Sequence, residues 1–367
     1  MPIVGESLHI INTSDQPTQL GEHVVPPGAA IEVTLAADFE PQARSARLER
    51  GPWGGAGWTT EELLGVAREL RYADWSYTPE HAPRDGWIDY QSVPDGREHT
   101  VVGTLKVQRD IWSPQLGNQR DLLVYLPPSY AHTARRYPVI YMHDGQNLFD
   151  DMTSFAGEWN VDETMEQASQ RGLEAIVVGI PNLGEQRMDE YSPFVQGGLG
   201  GGRGDAYLAF VAETIKPLID RDFRTLADRA HTGVLGSSMG GLISLYAFFS
   251  RPETFGFAGA MSPALWFAGR AIFPFVERAP LPPGRLYLDI GTHEGSSTLP
   301  DARRMHRLLR RKGCRAPHLL YVEERGAVHS EAVWANRLPA ALEFLLRPQP
   351  VAARSRSRGL PSVALEL

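Results

Sequence analysis

The sequence has a single cysteine, fewer basic than acidic residues and no long apolar runs. Its 367 residues contain one cysteine, Cys314, which excludes an intramolecular disulfide framework and fits a reducing compartment. Its formal net charge is -8. We therefore do not expect the basic surface that binding to nucleic-acid phosphates requires. No stretch approaches the ~18 uninterrupted apolar residues of a membrane helix, and the opening MPIVGESLHI lacks a secretory-signal pattern. We therefore expect a cytoplasmic protein without nucleic-acid or membrane partners; its oligomeric state stays open.

The first ~95 residues differ in pattern from the rest of the chain. SLHIINTS and GAAIEVTLA are typical of short strands bounded by turn residues, and WTTEELLGVARELRYADW has apolar residues at helical spacing. The Pro-rich SYTPEHAPRDGW then connects to a more regular region. We predict a small β-rich domain at 1–95, a larger domain at 96–347 and a flexible tail at 348–367.

The larger region alternates short apolar runs with helical patterns. The runs are DLLVYLPP, YPVIYMHDG, EAIVVGIPN, HTGVLGSS, FGFAGAMSP, RLYLDIGTH and HLLYVEERG. Runs that are apolar on both faces suit strands of a parallel sheet. DAYLAFVAETIKPLID, DARRMHRLLRRKG and SEAVWANRLPAALEFLL predict helices between or after them. The alternation predicts an α/β fold, a mostly parallel sheet with helices on both faces.

A strand, a sharp turn and a helix meet at GVLGSSMGGLISLYAFF. The turn has the pattern G-x-S-x-G at Gly236, Ser238 and Gly240, in which the glycines leave room for neighbouring elements and the serine is exposed on a strained bend. The pattern alone is weak because the chain has 36 glycines, and an ordinary Gly/Ser turn is the alternative. The strand before it and the helix after it favour a nucleophile elbow on Ser238.

A serine hydroxyl needs a base to react at neutral pH. His329 follows the last strand-like run and precedes the last helix, a position where α/β proteins build their sites. His293 lies in the loop expected to hold an acid, His143 in the loop expected to form an oxyanion hole, and His231 before the elbow strand. His329 is therefore the predicted base, and a surface loop histidine is the alternative.

The acid of such a site should follow the strand before the histidine strand. Glu294 is the first carboxylate in that loop, GTHEGSSTLPDA, and Asp301 is the second. Asp301 is predicted to cap the next helix, whereas Asp289 lies within the strand. Glu294 is the chosen acid, with Asp301 as the alternative.

The oxyanion of a tetrahedral intermediate needs two donors. One is the backbone N–H after the nucleophile, here that of Met239. The other is expected from the loop in YPVIYMHDGQNLFDD, at Gln146 or else Asn147. The alternative for this loop is a simple Asp-Gly turn.

These motifs together resemble a known family over about residues 97–346. RDLLVYLPPSY, YPVIYMHDGQNLFD, EWNVDE, VVGIPNLGEQRMDEYSPF, GVLGSSMGGLISLYAFF, GAMSPALWF, DIGTHEG and GAVHSEAVW are similar in order to the esterases that include enterochelin esterase, trilactone-siderophore hydrolases and feruloyl esterases. The resemblance implies an α/β-hydrolase fold without cofactor or metal, with Ser238, Glu294 and His329 as its serine, acid and histidine. The amino-terminal region does not match the β-sandwich of enterochelin esterases motif by motif.

Other positions are candidates for substrate contact. Asp144 and Asn147 lie in the predicted oxyanion loop, Arg187 and Glu190 in NLGEQRMDEYSPF, and Trp266 after GAMSPAL. Arg187 and Glu190 have the alternative of bracing the loop by a mutual salt bridge, and Trp266 that of core packing. VQGGLGGGRGDAY lacks the Lys-Ser/Thr of a phosphate loop, and HEGSS lacks the second histidine of a zinc helix.

The sequence thus predicts a serine hydrolase that cleaves a carboxylic ester through an acyl-enzyme on Ser238. A small-molecule ester, such as a siderophore-type lactone or an aryl ester, is the expected partner, and no cofactor or metal is expected. Two alternatives stay open: an acyltransferase on the same fold, and an inactive member of the family that only binds.

Overall fold

The computed structural model describes residues 86–90, 99–155 and 157–347 in full, and five short strands of the first 50 residues by their backbone alone. The chain divides into two compact units, Met1–Gly86 and Trp87–Leu367. The predicted helix at WTTEELLGVARELRYADW and the predicted tail at 348–367 lie outside the described residues. The three predicted domain ranges stay predictions.

The first unit contributes five strands, β1 (Ser7–Ile11), β2 (Thr18–Leu20), β3 (His23–Val25), β4 (Ala30–Leu35) and β5 (Leu48–Arg50). β4 pairs antiparallel with both β1 and β5, and β2 pairs antiparallel with β3. The two segments predicted as strands, SLHIINTS and GAAIEVTLA, contain β1 and β4.

The second unit is built on a nine-stranded sheet. Its strands are β6 (Ile88–Asp89), β7 (Thr104–Ser113), β8 (Asn118–Leu126), β9 (Val139–His143), β10 (Ile176–Ile180), β13 (Thr232–Ser237), β14 (Phe257–Met261), β15 (Arg285–Gly291) and β16 (Leu319–Glu324). The order across the sheet is β16-β15-β14-β13-β9-β10-β8-β7-β6. The six strands from β16 to β10 are parallel, and β8, β7 and β6 continue the sheet in antiparallel pairs. A separate hairpin joins β11 (Val195–Gln196) to β12 (Gly200–Gly201).

Helices follow or connect these strands. They are α1 (Val161–Ser169), α2 (Arg187–Glu190), α4 (Met239–Ser250), α5 (Phe267–Arg270), α6 (Ile272–Arg278), α7 (Thr298–Arg311) and α8 (Glu331–Leu346). Between α2 and α4, helix α3 runs without interruption through Gly204–Ala209, a π-helical segment Phe210–Ile215 and Lys216–Asp222. Short 3₁₀ turns lie at Pro128–His132, Gly145–Asn147, Gly184–Gln186 and Arg229–His231.

Both faces of the sheet are buried along β9, β10, β13, β14 and β15, because alternate residues of these strands enter opposite cores. On β13, Val234 joins the core that contains helix α4, and Leu235 joins the core that contains α1 and α8. The mostly parallel sheet between two helical layers confirms the predicted fold class. All seven predicted strands and three predicted helices are present, but β8 is antiparallel and the neighbouring β7 was not predicted.

The fold brings the predicted site residues to one edge. The parallel strands β9, β13, β14, β15 and β16 all end there, so the loops that follow them meet. In the described part of the chain, no helix combines the length and apolar character needed to cross a membrane.

Candidate active site

Ser238 lies on a strained bend between β13 and α4. Its backbone has φ 54° and ψ -119°, a conformation that non-glycine residues adopt rarely and that recurs at functional sites. Its N–H donates to the Met261 carbonyl (3.0 Å), and its own carbonyl accepts from Ala264 N–H (2.9 Å). These two bonds hold the bend against the loop after β14.

The glycines around Ser238 are required by close packing. A Cβ on Gly236 would lie 2.9 Å from the Gly240 carbonyl carbon and 2.9 Å from His143 Cδ2. A Cβ on Gly240 would lie 3.2 Å from His143 Cβ. The elbow therefore rests directly on the end of β9, as the G-x-S-x-G pattern requires.

His329 and Glu294 form a hydrogen-bonded pair. The His329 Nδ1 lies 2.9 Å from Glu294 Oε2. The imidazole is 39% exposed, whereas the carboxylate is fully buried. The buried Glu294 carboxylate thus holds Nδ1 from the protein interior. The imidazole is more exposed than the carboxylate, so it stays available for proton transfer.

Glu294 is held by three further donors. Its Oε1 accepts from the Ser262 hydroxyl (2.6 Å) and Gly291 N–H (2.7 Å), and Arg337 lies 3.4 Å away. Burial alone would raise the pKa of Glu294, but the hydrogen bonds from His329, Ser262 and Gly291 outweigh it and place the pKa below its usual range. Glu294 is therefore ionised beside His329 at neutral pH.

Sequence reasoning missed Ser262, Trp334 and Arg337. The Ser262 hydroxyl accepts from Trp334 Nε1 (3.0 Å) and Arg337 Nη2 (2.7 Å) while it donates to Glu294. The Trp334 ring also stands edge-on to His329, with centroids 4.7 Å apart and planes at 88°. The three-residue spacing of Trp334 and Arg337 puts them on one face of α8, which was the signal available in the sequence.

A short chain of contacts connects the serine to this pair. Ser238 N–H binds Met261, the next residue Ser262 binds Glu294, and Glu294 binds His329. Ser238, Glu294 and His329 thus lie around the carboxyl ends of β13, β15 and β16.

The predicted oxyanion donors lie at the starts of two helical turns. Met239 is the first residue of α4, and Gln146 is the second residue of the turn Gly145–Asn147. The first N–H groups of a helix have no intrahelical acceptor. Asn147 N–H, the alternative donor, binds the Asp144 carbonyl (2.9 Å), which favours Gln146. The Asn147 side chain accepts from Phe155 N–H (3.0 Å) and braces the loop.

Asp144 is engaged by Arg187. The guanidinium donates to both carboxylate oxygens (2.7 and 2.8 Å), and Asn182 adds a third bond (2.7 Å). Burial opposes the charge of Asp144, but the bonds and charge of Arg187 outweigh it and lower the pKa of the carboxyl. Both groups, predicted as substrate contacts, are paired with each other and hold the oxyanion loop.

The alternative of a mutual salt bridge between Arg187 and Glu190 is contradicted by the structure. Glu190 is fully buried and binds Arg120 through two bonds of 2.8 Å, and Asn118 adds another of 2.9 Å. The reason is the packing of α2: Arg187 faces the oxyanion loop, whereas Glu190 faces β8. The buried, saturated carboxylate of Glu190 also does not fit its predicted role in substrate binding.

His143 lies beneath the elbow rather than in the oxyanion loop. Its Nδ1 is 2.8 Å from the Tyr207 hydroxyl, and its Nε2 has no partner among the described residues. Burial, with a smaller contribution from Arg187, outweighs the effect of Asp144 and lowers the pKa of His143 to about 4. The imidazole is therefore neutral and acts as a packed support.

The prediction that Asp301 caps a helix is wrong. Helix α7 begins at Thr298, three residues earlier, and Asp301 lies within its first turn. The carboxylate binds Arg270 Nε at 2.8 and 2.9 Å, so it is engaged away from His329. His293 is exposed, and His231 precedes β13 at the strand end opposite Ser238.

Trp266 is 38% exposed beside Phe267, with ring centroids 5.8 Å apart. It follows the loop whose Ala264 binds Ser238. A partly open indole at this position suits a pocket wall better than core packing, although this role stays a prediction.

Comparisons with known proteins identify a matching family and several relatives of this chain. The family model Esterase matches residues 113–345. The protein named YbbA from Bacillus subtilis (strain 168) is 32% identical over 246 residues, 62% of this chain and 93% of its own length. The iron(III) salmochelin esterase of Escherichia coli O6:H1 is 25% identical over 238 residues, 60% of this chain. The chain spans 53% of the length of that esterase.

A solved structure agrees with the fold. The IroE-like serine hydrolase from Shewanella oneidensis superposes with a TM-score of 0.53 at 19% identity, over 66% of this chain and 80% of that chain. The likeness confirms the predicted α/β-hydrolase fold.

Proposed function

The chain belongs to the Esterase family and is a carboxylic ester hydrolase, and we propose that it cleaves its ester through an acyl-enzyme on Ser238. His329 takes the hydroxyl proton as Ser238 Oγ attacks the ester carbonyl. Glu294, bonded to Nδ1, fixes the tautomer that leaves Nε2 free to accept, and it stabilises the imidazolium. The backbone N–H groups of Met239 and Gln146 stabilise the oxyanion.

The alcohol leaves before water completes the reaction. The tetrahedral intermediate collapses, the bond from the carbonyl carbon to the alcohol oxygen breaks, and His329 protonates the leaving alcohol. Water then gives a proton to His329 as it attacks the acyl-enzyme. When this second tetrahedral intermediate collapses, the bond from the carbonyl carbon to Ser238 Oγ breaks, His329 returns the proton to Oγ, and the acid leaves.

The observation that carries the proposal is the strained bend at Ser238 beside a buried, ionised Glu294 that holds His329. Strain of this kind persists only where the surrounding structure enforces it. The strain at Ser238 is explained if Ser238 is a nucleophile, because a nucleophile must project beyond the sheet edge to reach the substrate.

We place the substrate among esters of siderophore-like or aryl acids. The relative from Escherichia coli is named as an iron(III) salmochelin esterase, which supports this class. Arg187 is neutralised by Asp144, so selection by shape and apolar contact at Trp266 fits the site better than selection by a free charge. The composition favours a cytoplasmic location.

The decisive experiment compares two adjacent serines. Ser238→Ala removes the proposed nucleophile and should lower turnover of p-nitrophenyl acetate by ~10⁴-fold or more. Ser237, the buried last residue of β13, provides the matched control, and Ser237→Ala should retain turnover. Fluorophosphonate should label the wild type and Ser237→Ala but not Ser238→Ala. The opposite pattern would move the nucleophile by one residue.

The same samples test the two alternatives. A family member that only binds would neither react with fluorophosphonate nor turn over any ester. An acyltransferase would yield more ester than free acid when a competing alcohol is added. Screening p-nitrophenyl, feruloyl and siderophore-lactone esters then identifies the substrate by kcat/KM.

A further inference from the structure

Three carboxylates meet at the start of α1, outside the proposed catalytic groups. They belong to Glu158, Asp162 and Glu163, and one oxygen of each lies within 4.8 Å of the other two. Asp162 is fully buried. Glu158 lies in the loop that follows the oxyanion turn, and Asp162 and Glu163 lie in the first turn of the helix.

Each of the three side chains has a buried oxygen that nothing in the described residues binds. These atoms are Oε1 of Glu158, Oδ1 of Asp162 and Oε2 of Glu163. The other oxygens of Glu158 and Asp162 accept from Thr100 Oγ1 (2.8 Å) and Val102 N–H (2.7 Å). Buried carboxylate oxygens without a donor are costly, so something else should compensate them.

The position at a helix start does not explain these oxygens. The positive end of a helix favours acidic residues in its first turn, but this effect needs no mutual approach of three carboxylates. Three like charges brought together repel one another, and that repulsion is relieved only by a positive charge or by protons.

We propose that Glu158, Asp162 and Glu163 bind a hard divalent cation of the Ca²⁺ type. Ca²⁺ takes oxygen ligands at about 2.3–2.6 Å, so two oxygens on one ion lie at most roughly 5 Å apart. The limit of 4.8 Å for the three carboxylates satisfies this condition. Water would complete the six to eight ligands that Ca²⁺ prefers, since Glu158 and Glu163 are only half-buried as whole residues.

The site would brace the proposed catalytic machinery without taking part in the chemistry. Trp159, next to Glu158, donates its N–H to the Asn147 carbonyl (2.8 Å), and its ring packs on Trp334 at 5.7 Å. Trp334 in turn contacts His329. Through Asp162 the cation would also fix the segment at Val102. Its role is therefore structural, and its main effect falls on stability.

The test uses the full chain, freed of metal by a chelator. Titration with Tb³⁺ as a Ca²⁺ probe should give luminescence excited through the neighbouring Trp159, and Ca²⁺ should displace it. With three protein carboxylates we expect a Ca²⁺ dissociation constant on the order of 10⁻⁵–10⁻³ M. Saturating Ca²⁺ should raise the melting temperature, because it binds the folded state.

Matched variants separate the site from general charge effects. Asp162→Asn and Glu158→Gln each remove one ligand charge and should weaken Ca²⁺ binding by ~10- to 100-fold or more. Asp151→Asn removes an exposed charge nearby and should leave both the affinity and the Ca²⁺-dependent melting shift intact. Either cluster variant suffices if the other fails to fold.

Two results would overturn the proposal. One is a wild type without Tb³⁺ luminescence or a Ca²⁺-dependent melting shift, which would mean that protons alone relieve the carboxylates. The other is a Ca²⁺-dependent shift that is equal in the wild type and both cluster variants. Neither result would affect the proposed esterase mechanism, which the serine variants test separately.

Discussion

The two sides of the candidate site are each built on a buried carboxylate, but the carboxylates have different partners. On the acid side, Glu294 holds His329, whose ring is 39% exposed. On the oxyanion side, Asp144 holds Arg187 through a two-point ion pair. An imidazole can exchange a proton near neutral pH, whereas a guanidinium cannot.

The difference separates a reacting group from a scaffold. The Glu294–His329 bond connects the buried network to a side chain that can carry a proton. Asp144 and Arg187 neutralise each other and lead to no group that can exchange a proton. Their pair fixes the backbone of the loop that contains Gln146. We therefore expect changes on the acid side to reduce turnover first, and changes on the oxyanion side to reduce stability first.

Among changes that compare the two sides, the largest effect is expected for Glu294→Gln. This change keeps the shape and removes the charge that stabilises the imidazolium, so turnover should fall by about 10²- to 10⁴-fold. The pair Glu294→Gln and Asp301→Asn, measured for kcat and melting temperature, tests the assignment. Asp301→Asn breaks the contact with the half-exposed Arg270 and should leave turnover unchanged with little loss of stability.

Two outcomes would break the contrast. An inactive Asp301→Asn beside an active Glu294→Gln would transfer the acid role to Asp301. Full activity in both variants would indicate a Ser238–His329 dyad without an acid.

The positions of Ser238, Glu294 and His329 at strand ends could be predicted from the sequence, while their catalytic roles stay predictions; the supports of Glu294 and the pairing on the oxyanion side could not be predicted. Ser238, Glu294 and His329 follow the order of strand ends along the chain, because each lies in the loop after a strand whose apolar pattern is visible. The partners of Arg187 and Glu190 depend on how α2 packs against β8 and β9. That packing has no local signal in the sequence, so the alternative of a mutual salt bridge failed.

The second expected effect concerns the stability of the oxyanion side. Arg187→Met leaves the buried Asp144 charge without its main partner and should lower the free energy of unfolding by about 3 kcal/mol. Arg303 also donates two hydrogen bonds to one carboxylate, that of Glu323, but the Arg303 side chain is 50% exposed. Arg303→Met should therefore destabilise the protein much less than Arg187→Met does. Urea unfolding of both variants measures the difference.

A double variant sharpens this result. Asp144→Asn combined with Arg187→Met removes both charges, so it should be less destabilised than the sum of the two single changes. If Arg187→Met and Arg303→Met lowered the free energy of unfolding equally, Asp144 would be solvated. The acid side and the oxyanion side would then differ less than the burial of their carboxylates indicates.

The third expected effect is a pH dependence from His143. Its pKa is lowered to about 4 in the folded protein, against ~6.5 in the unfolded chain. The unfolded state therefore gains a proton first as pH falls. The stabilising contribution of neutral His143 is complete above about pH 6.5 and decreases toward pH 4, by at most ~3 kcal/mol.

The acid side contributes the opposite sign in the same range. Burial, only partly offset by Arg337, raises the pKa of Asp289 to about 6, so the folded state gains that proton first and is stabilised as pH falls. Comparing wild type with His143→Gln isolates the histidine. The gap in melting temperature between them should narrow between pH 6.5 and 4, and the exposed His293→Gln control should show no such change. A constant gap would mean that His143 titrates normally in the fold.

The smallest effect on activity is expected for Ser262→Ala, which tests whether the acid side tolerates loss of a support. The hydroxyl donates to Glu294 Oε1 and accepts from Trp334 and Arg337. Its removal leaves two buried donors short of an acceptor, which should cost about 1–2 kcal/mol of stability. Ser244→Ala removes an equally buried hydroxyl that binds only the Gly240 carbonyl, and it serves as the control.

Turnover of Ser262→Ala should fall only roughly threefold, less than 1 kcal/mol in the barrier, because His329 keeps its bond to the other oxygen of Glu294. The pH profile is the more specific readout. The Ser262 hydroxyl is one of the donors that lower the pKa of Glu294, so its loss should raise that pKa and lower kcat further on the acidic limb, where protonated Glu294 no longer supports the imidazolium of His329. Ser244→Ala should leave the limb in place. If both variants give the wild-type profile, Ser262 only fills space, and the acid side, like the oxyanion side, is held mainly by its charged pair.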